Sequence, residues 1–218
     1  MEDKQIPDID FYMNGVNPTI KSPKCYYEIG FYATRESLVD PEEYNTFVNS
    51  CKGMFRKLPF YNSYKSYLYG LGLNRCQMLG NITSEMANIE MHHVIPLEDI
   101  IVIIMEHMFN NGILFTSFDI VNLLVEEHKN NRIPMVMLCE SVHQAVENLD
   151  NVTIHPDACF GYWVDFLNEY HDGITKNIAF KLIHALNESL KKGCSDHNGV
   201  LALRDTIYRW SELNNYYE

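Results

Sequence analysis

The sequence predicts an α+β fold: a mostly helical chain with a small β-hairpin. Three observations predict it. Apolar residues recur at helical spacing through the middle and the C-terminal third of the chain. Short β-prone runs are few, around residues 25–34, 75–93 and 133–139. The chain has 218 residues, 46% of them hydrophobic, which is enough for a sizeable core in one or two domains.

Residues 1–24 are polar and rich in Pro and Asn, without the basic start and apolar centre of a signal peptide, and read as an extended arm. An N-terminal α/β region follows over 25–75. In it "CYYEIGFYAT" has strand-like content, and "DPEEYNTFVNSCKGMF" reads as a helix with Asp40 as N-cap and Pro41 at its first position. A second helix, "NSYKSYLYGLGL", is expected to stop at Gly70 and Gly72.

The next region, 76–155, opens with "RCQMLGNI" and "ANIEMHH" joined by "TSEM", which suggests the hairpin. Two amphipathic helices fill 97–129, the second capped by Thr116 or Ser117 with Asp119 in its first turn. After "NNR" come the strand-like "IPMVMLC" and the helical "ESVHQAVENL". The last region, 156–218, is helical and expected to pack against the middle, with Gly193 as a helix stop.

Composition narrows the function. A net charge of −12 argues against a general nucleic-acid coat protein, because phosphate binding draws on Lys and Arg. A local basic surface is still available in residues 51–75, where Lys52, Arg56, Lys57, Lys65 and Arg75 interleave with aromatic residues. That stretch reads either as a solvated helical surface over an aromatic core or as a site of contact with DNA backbone. The longest apolar run, "IIVIIM", is too short to span a bilayer, so no membrane is expected. Six scattered cysteines form no CxxC pair, which suits reduced thiols and a cytoplasmic location. No GxxxxGK[ST], GxGxxG or GxSxG occurs.

The candidate chemistry lies in the middle region. His143 and Glu147 are four apart on one helix, so they share a face and can grip one metal ion, and His92 at a strand end could supply a third ligand. Mg²⁺, Mn²⁺, Zn²⁺ and Ni²⁺ all suit such a set. Neighbours on a strand point to opposite faces, so His92 and His93 divide the work. One ring can bind metal, while the other is free to take a proton from water. His128 and His107 read as cations at the C-terminal ends of the two inserted helices, and Cys76 and Cys139 as buried apolar residues.

"EMHHVIP" followed by "NNRIPMVMLCESVHQAVEN" resembles the HNH, or ββα-metal, endonuclease motif. The resemblance implies a ββα-metal core and metal-dependent hydrolysis of DNA phosphodiester bonds. His93 would be the general base, His92 and His143 metal ligands, and Asn131, or else Asn130, the residue that positions the base. It also implies a phage or mobile-element origin, hence a host cytoplasm. Two departures stand out: Glu147 replaces the usual His or Asn, and residues 97–129 are inserted between the two halves. An acidic chain with an altered ligand set also fits an alternative, an HNH-like binding or structural protein without activity.

Overall fold

The computed structural model describes residues 32–148, 154–155 and 158–213. The arm expected over 1–24 and most of the strand expected from residue 25 lie outside the described residues. The fold is α+β: eight α-helices and one two-stranded antiparallel sheet among the described residues. In chain order the elements are α1 (Pro41–Lys57), α2 (Pro59–Gly70), β1 (Ile89–His93), α3 (Leu97–Asn110), α4 (Ser117–Lys129), β2 (Met135–Cys139), α5 (Glu140–Asn148) and α6 (Trp163–Glu169). A 3₁₀ turn (His171–Gly173), α7 (Lys176–Lys192) and α8 (His197–Leu213) complete the chain.

Local chemistry sets the helix ends. Asp40 accepts the N–H groups of Glu42 and Glu43 ahead of Pro41, so α1 starts where its first free donors are satisfied. Thr116 and Asp119 form a reciprocal capping box at α4. Gly193 ends α7 with φ 83°, a left-handed conformation that glycine adopts without a Cβ penalty.

The core is organised around α3. Ile100, Ile101, Ile103, Ile104 and Met105 are fully buried, because α1, α4 and the 3₁₀ turn all pack on this helix. α7 and α8 pack on one another, and α8 also meets the 3₁₀ turn. No helix among the described residues is long and apolar enough to cross a membrane.

The expected hairpin between 75–82 and 87–93 does not form. Residues 75–82 keep only an isolated bridge, Arg75 to Thr83, and then turn. β1 pairs instead with β2, in the register Ile89–Cys139, Met91–Met137 and His93–Met135. The physical reason lies in Gln77, whose backbone N–H and side-chain oxygen are taken by Met137 on the outer edge of β2, which draws this segment away from β1.

Two glycines give opposite expectations for the same substitution. A Cβ on buried Gly173 would overlap the Ile103 carbonyl oxygen and lie 2.7 Å from the His107 nitrogen, whereas one on Gly53, inside α1, meets nothing within 4 Å. Gly173→Ala should destabilise by roughly 1–3 kcal/mol through overpacking. Gly53→Ala should stabilise by about 1 kcal/mol through helix propensity. Urea denaturation of both variants checks the pair.

Candidate metal centre

β1 carries its side chains to two faces, and each face builds its own polar cluster. Glu90 and His92 point one way; Ile89, Met91 and His93 point the other. Because β2 runs directly into α5, pairing β1 with β2 lays α5 beside the Glu90 and His92 face.

On that face His92, His143 and Glu147 each offer a ligand atom, and all three atoms lie within 4.8 Å of one another. His143 Nε2 is 3.2 Å from Glu147 Oε1, and the His92 and His143 rings meet edge to face with centroids 4.9 Å apart. Donors about 2.1 Å from a shared ion stand at most about 4.2 Å apart, so small side-chain rotations complete the grip. The chemistry of the set fits as well. Burial and the neighbouring His143 push the pKa of His92 down to about 4 against the pull of Glu147, so at neutral pH His92 presents an uncharged imidazole, the form that binds metal.

The same face contains a residue that the sequence reading passed over. His143 Nδ1 lies 2.6 Å from Glu90 Oε2, so Nδ1 carries a proton and donates to the carboxylate, which turns Nε2 toward Glu147 and His92. This carboxylate–histidine arrangement orients a metal-binding ring and raises its basicity. The signal was present in "EMHH", where Glu90 and His92 are two apart on one strand and so share a face.

His93 and Asn131 belong to the opposite cluster. His128 Nδ1 sits 2.6 Å from the Leu124 carbonyl, which can only accept, so Nδ1 carries the proton of this ring. His128 Nε2 is then an acceptor, and the His93 Nε2 that approaches it at 3.0 Å must donate. His93 is therefore left with a bare Nδ1. Burial, then the rings of His128 and His92, hold its pKa well below the ordinary histidine value.

His128 packs against Phe55, Phe60 and Tyr64, with ring centroids 4.7, 6.2 and 5.3 Å away. Tyr64 donates to Asn131 Oδ1, and Asn131 Nδ2 donates to Tyr67, both at 3.2 Å. Asn131 is left-handed at φ 53°, a conformation asparagine tolerates better than most residues. The structure thus brings together His92, His143 and Glu147, and separately His93, His128 and Asn131, on the two faces of one strand. Asn130 closes α4 through its backbone N–H.

One expectation changes here, and one of two readings gains support. His128 is not a cation at a helix end: it is 1% exposed, and burial lowers its pKa to about 4, so it is neutral. In the stretch 51–75 much of the aromatic content is core, since Phe55 and Tyr64 are buried around His128, and Lys52 is paired with Glu98 at 2.7 Å.

A family model described as "Bacteriophage G278-like virion protein" matches residues 14–207. No curated protein and no solved structure matches the chain.

Substitution at Glu90 separates orientation from ligation. Glu90→Gln should weaken divalent-cation binding by roughly 10–100-fold, and His143→Ala should weaken it further. Calorimetric titration with Zn²⁺ or Ni²⁺ reads both, and unchanged affinity in His143→Ala would exclude the centre. A second expectation follows from His128, whose folded pKa lies below the unfolded one. Its contribution is complete above about pH 6.5 and is lost as pH falls toward 4, with stability lower by about 2 kcal/mol at pH 5 than at pH 7. Histidine-selective NMR should show the His128 ring neutral at pH 5; titration near 6.5 would contradict this.

Proposed function

The chain belongs to the bacteriophage G278-like virion protein family, and from that premise we propose that it is a particle protein built around one divalent-cation centre that hydrolyses DNA phosphodiester bonds. The observation that carries this reading is the convergence of His92, His143 and Glu147 across a strand–strand–helix unit. In the proposal these three residues hold the ion and Glu90 fixes the His143 ring. A bound cation supplies Lewis-acid stabilisation of the phosphate and the leaving oxygen. Glu147 as a carboxylate ligand favours a hard cation such as Mg²⁺ or Mn²⁺.

His93 is the proposed proton acceptor for the attacking water, through Nδ1, the nitrogen that His128 leaves bare. Its low proton affinity keeps it unprotonated at neutral pH, as a base must be. Asn131 holds the turn before β2 by its two tyrosine contacts. The exposed cations of 51–75 are the proposed contacts to DNA backbone.

A second reading is favoured by one specific observation. His93 lies on the face of β1 opposite His92 and is committed to His128, which suits a virion protein whose ion fastens α5 to β1 without hydrolysis. Net charge −12 points the same way.

Plasmid nicking distinguishes the two. The purified protein is incubated with supercoiled DNA and Mg²⁺, Mn²⁺, Ni²⁺ or Zn²⁺, with EDTA, His92→Ala and His93→Ala as controls. Hydrolysis predicts metal-dependent nicking abolished by EDTA and reduced roughly 10²–10⁴-fold in His93→Ala. Retained ion binding with no nicking under any metal supports the structural reading. Nicking that survives His93→Ala removes His93 as the base.

A further inference from the structure

The aromatic residues of 51–75 mostly face inward, but one row of them leads out to solvent. Phe60, Tyr64 and Tyr67 stand four and three residues apart on α2, a spacing that puts their side chains on one helix face. Their rings stack in sequence. Phe60 lies on Tyr64 with centroids 5.7 Å apart at 22°, and Tyr64 on Tyr67 at 5.8 Å and 29°. Tyr64 is buried, whereas Tyr67 at the end of the row is 44% exposed and is the one exposed aromatic residue of this stretch. No other ring among the described residues packs on Tyr67, so the row ends at a ring with one face uncovered.

That last ring is held in place. Asn131 accepts the Tyr64 hydroxyl at Oδ1 and donates from Nδ2 to the Tyr67 oxygen, both at 3.2 Å, so one amide ties two neighbouring phenols. Its own backbone N–H is anchored on the His128 carbonyl at 2.9 Å. A side chain already ordered gives up little freedom when a ligand stacks on it.

The charge around α2 is the second observation. Arg56, Lys57 and Arg75 are exposed, and together with Lys65 they enter none of the ion pairs among the described residues. Cations elsewhere are mostly matched to a carboxylate, as Arg35 is to Glu106, Arg132 to Glu127 and Lys181 to Asp99. Lys65 instead holds its ammonium 5.6 Å from the centre of the Tyr69 ring. In a chain with 29 acidic and 17 basic residues, this concentration of unmatched cations between positions 56 and 75 suits an external anion.

We infer that α2 binds an unpaired strand of DNA, with one base stacked on Tyr67 as the next ring of the row and the cations of 56–75 on its phosphates. The inference rests on the reading of 51–75 as the DNA contact and narrows the substrate to single strands. In a duplex the faces of the bases are covered by their neighbours; in a single strand they are free to stack on an aromatic side chain. Duplex binding draws chiefly on phosphate contacts, which a chain of net charge −12 supplies poorly. Stacking on a tyrosine is not opposed by that charge in the same way, so it favours the strand whose bases are open.

The test compares, by fluorescence anisotropy, a labelled oligothymidylate and a labelled duplex of equal length, each with the full chain in EDTA so that nothing is cut. The single strand should bind at least about tenfold more tightly than the duplex. Its log affinity should fall against log salt with a slope no steeper than about −3, since each of the four cations contributes about −0.7. Tyr67→Ala should weaken single-strand binding roughly 5–150-fold, while Tyr67→Phe, which keeps the ring, should retain most of it. Duplex bound as tightly as the single strand, no single-strand binding, or binding undiminished in Tyr67→Ala would each overturn the inference. The comparison of the two DNAs uses the unsubstituted chain and so decides the matter even where a variant misfolds. Adding Mg²⁺ or Mn²⁺ to the bound oligothymidylate reports hydrolysis separately. Strand binding without cleavage removes hydrolysis alone, and plasmid nicking without a strand preference removes this inference alone.

Discussion

The antiparallel register of β1 on β2 is the constraint on which the candidate site depends. It places His92 opposite Val136 and His93 opposite Met135, and it delivers α5 to the face that carries Glu90 and His92. Side chains alternate along a strand with a period of two, so a slip of one residue would exchange the two histidines between faces. The register is held on both edges of β2, by β1 on one side and by Gln77 and Phe160 on the other. With Met135, Val136, Met137 and Leu138 all at 1% exposure or less, any slip would also unseat much of the core.

From that register come two polar clusters that share a strand but not a face. One is open and acidic, with Glu90, Glu147, His92 and His143 partly exposed at the foot of α5. The other is built around buried His128, and its members bond to their neighbours: His93 to His128, His128 to the Leu124 carbonyl, and Asn131 to two tyrosines. Buried polar groups persist when their partners are complete, and such networks make a core unique. The His128 cluster thus has a sufficient structural role, and the acidic one is where three possible ligand atoms, from His92, His143 and Glu147, come within 4.8 Å of one another.

What was legible in the sequence was local. Asp40 with Pro41, Thr116 with Asp119, and Gly193 mark helix ends by chemistry that acts within a few residues. The spacing of His143 and Glu147 gives their shared helix face, and the adjacency of His92 and His93 gives their division between faces. What was illegible depended on distant partners. Residues 75–82 have strand-like composition, yet Gln77 serves β2 rather than β1, and nothing near Gln77 announces Met137 as its partner. His128 has the position of a helix-end cation, but Phe55, Phe60 and Tyr64 arrive from another region and strip its water. Glu90 lay between the two cases: alternation put it on the His92 face, but its bond to His143 required the fold.

α5 has nine residues, and none of them is fully buried. A helix of that length is marginal alone, because nucleation is costly and few hydrogen bonds follow. Its place on the sheet therefore rests on contacts such as Glu90 with His143, and in the proposed centre two of the three ligands ride on this helix. Ion capture and the ordering of α5 would then be one equilibrium, in which measured affinity is intrinsic affinity lessened by the cost of fixing two turns of backbone. The strength of this centre is accordingly a property of the helix's stability as much as of the atoms that touch the ion.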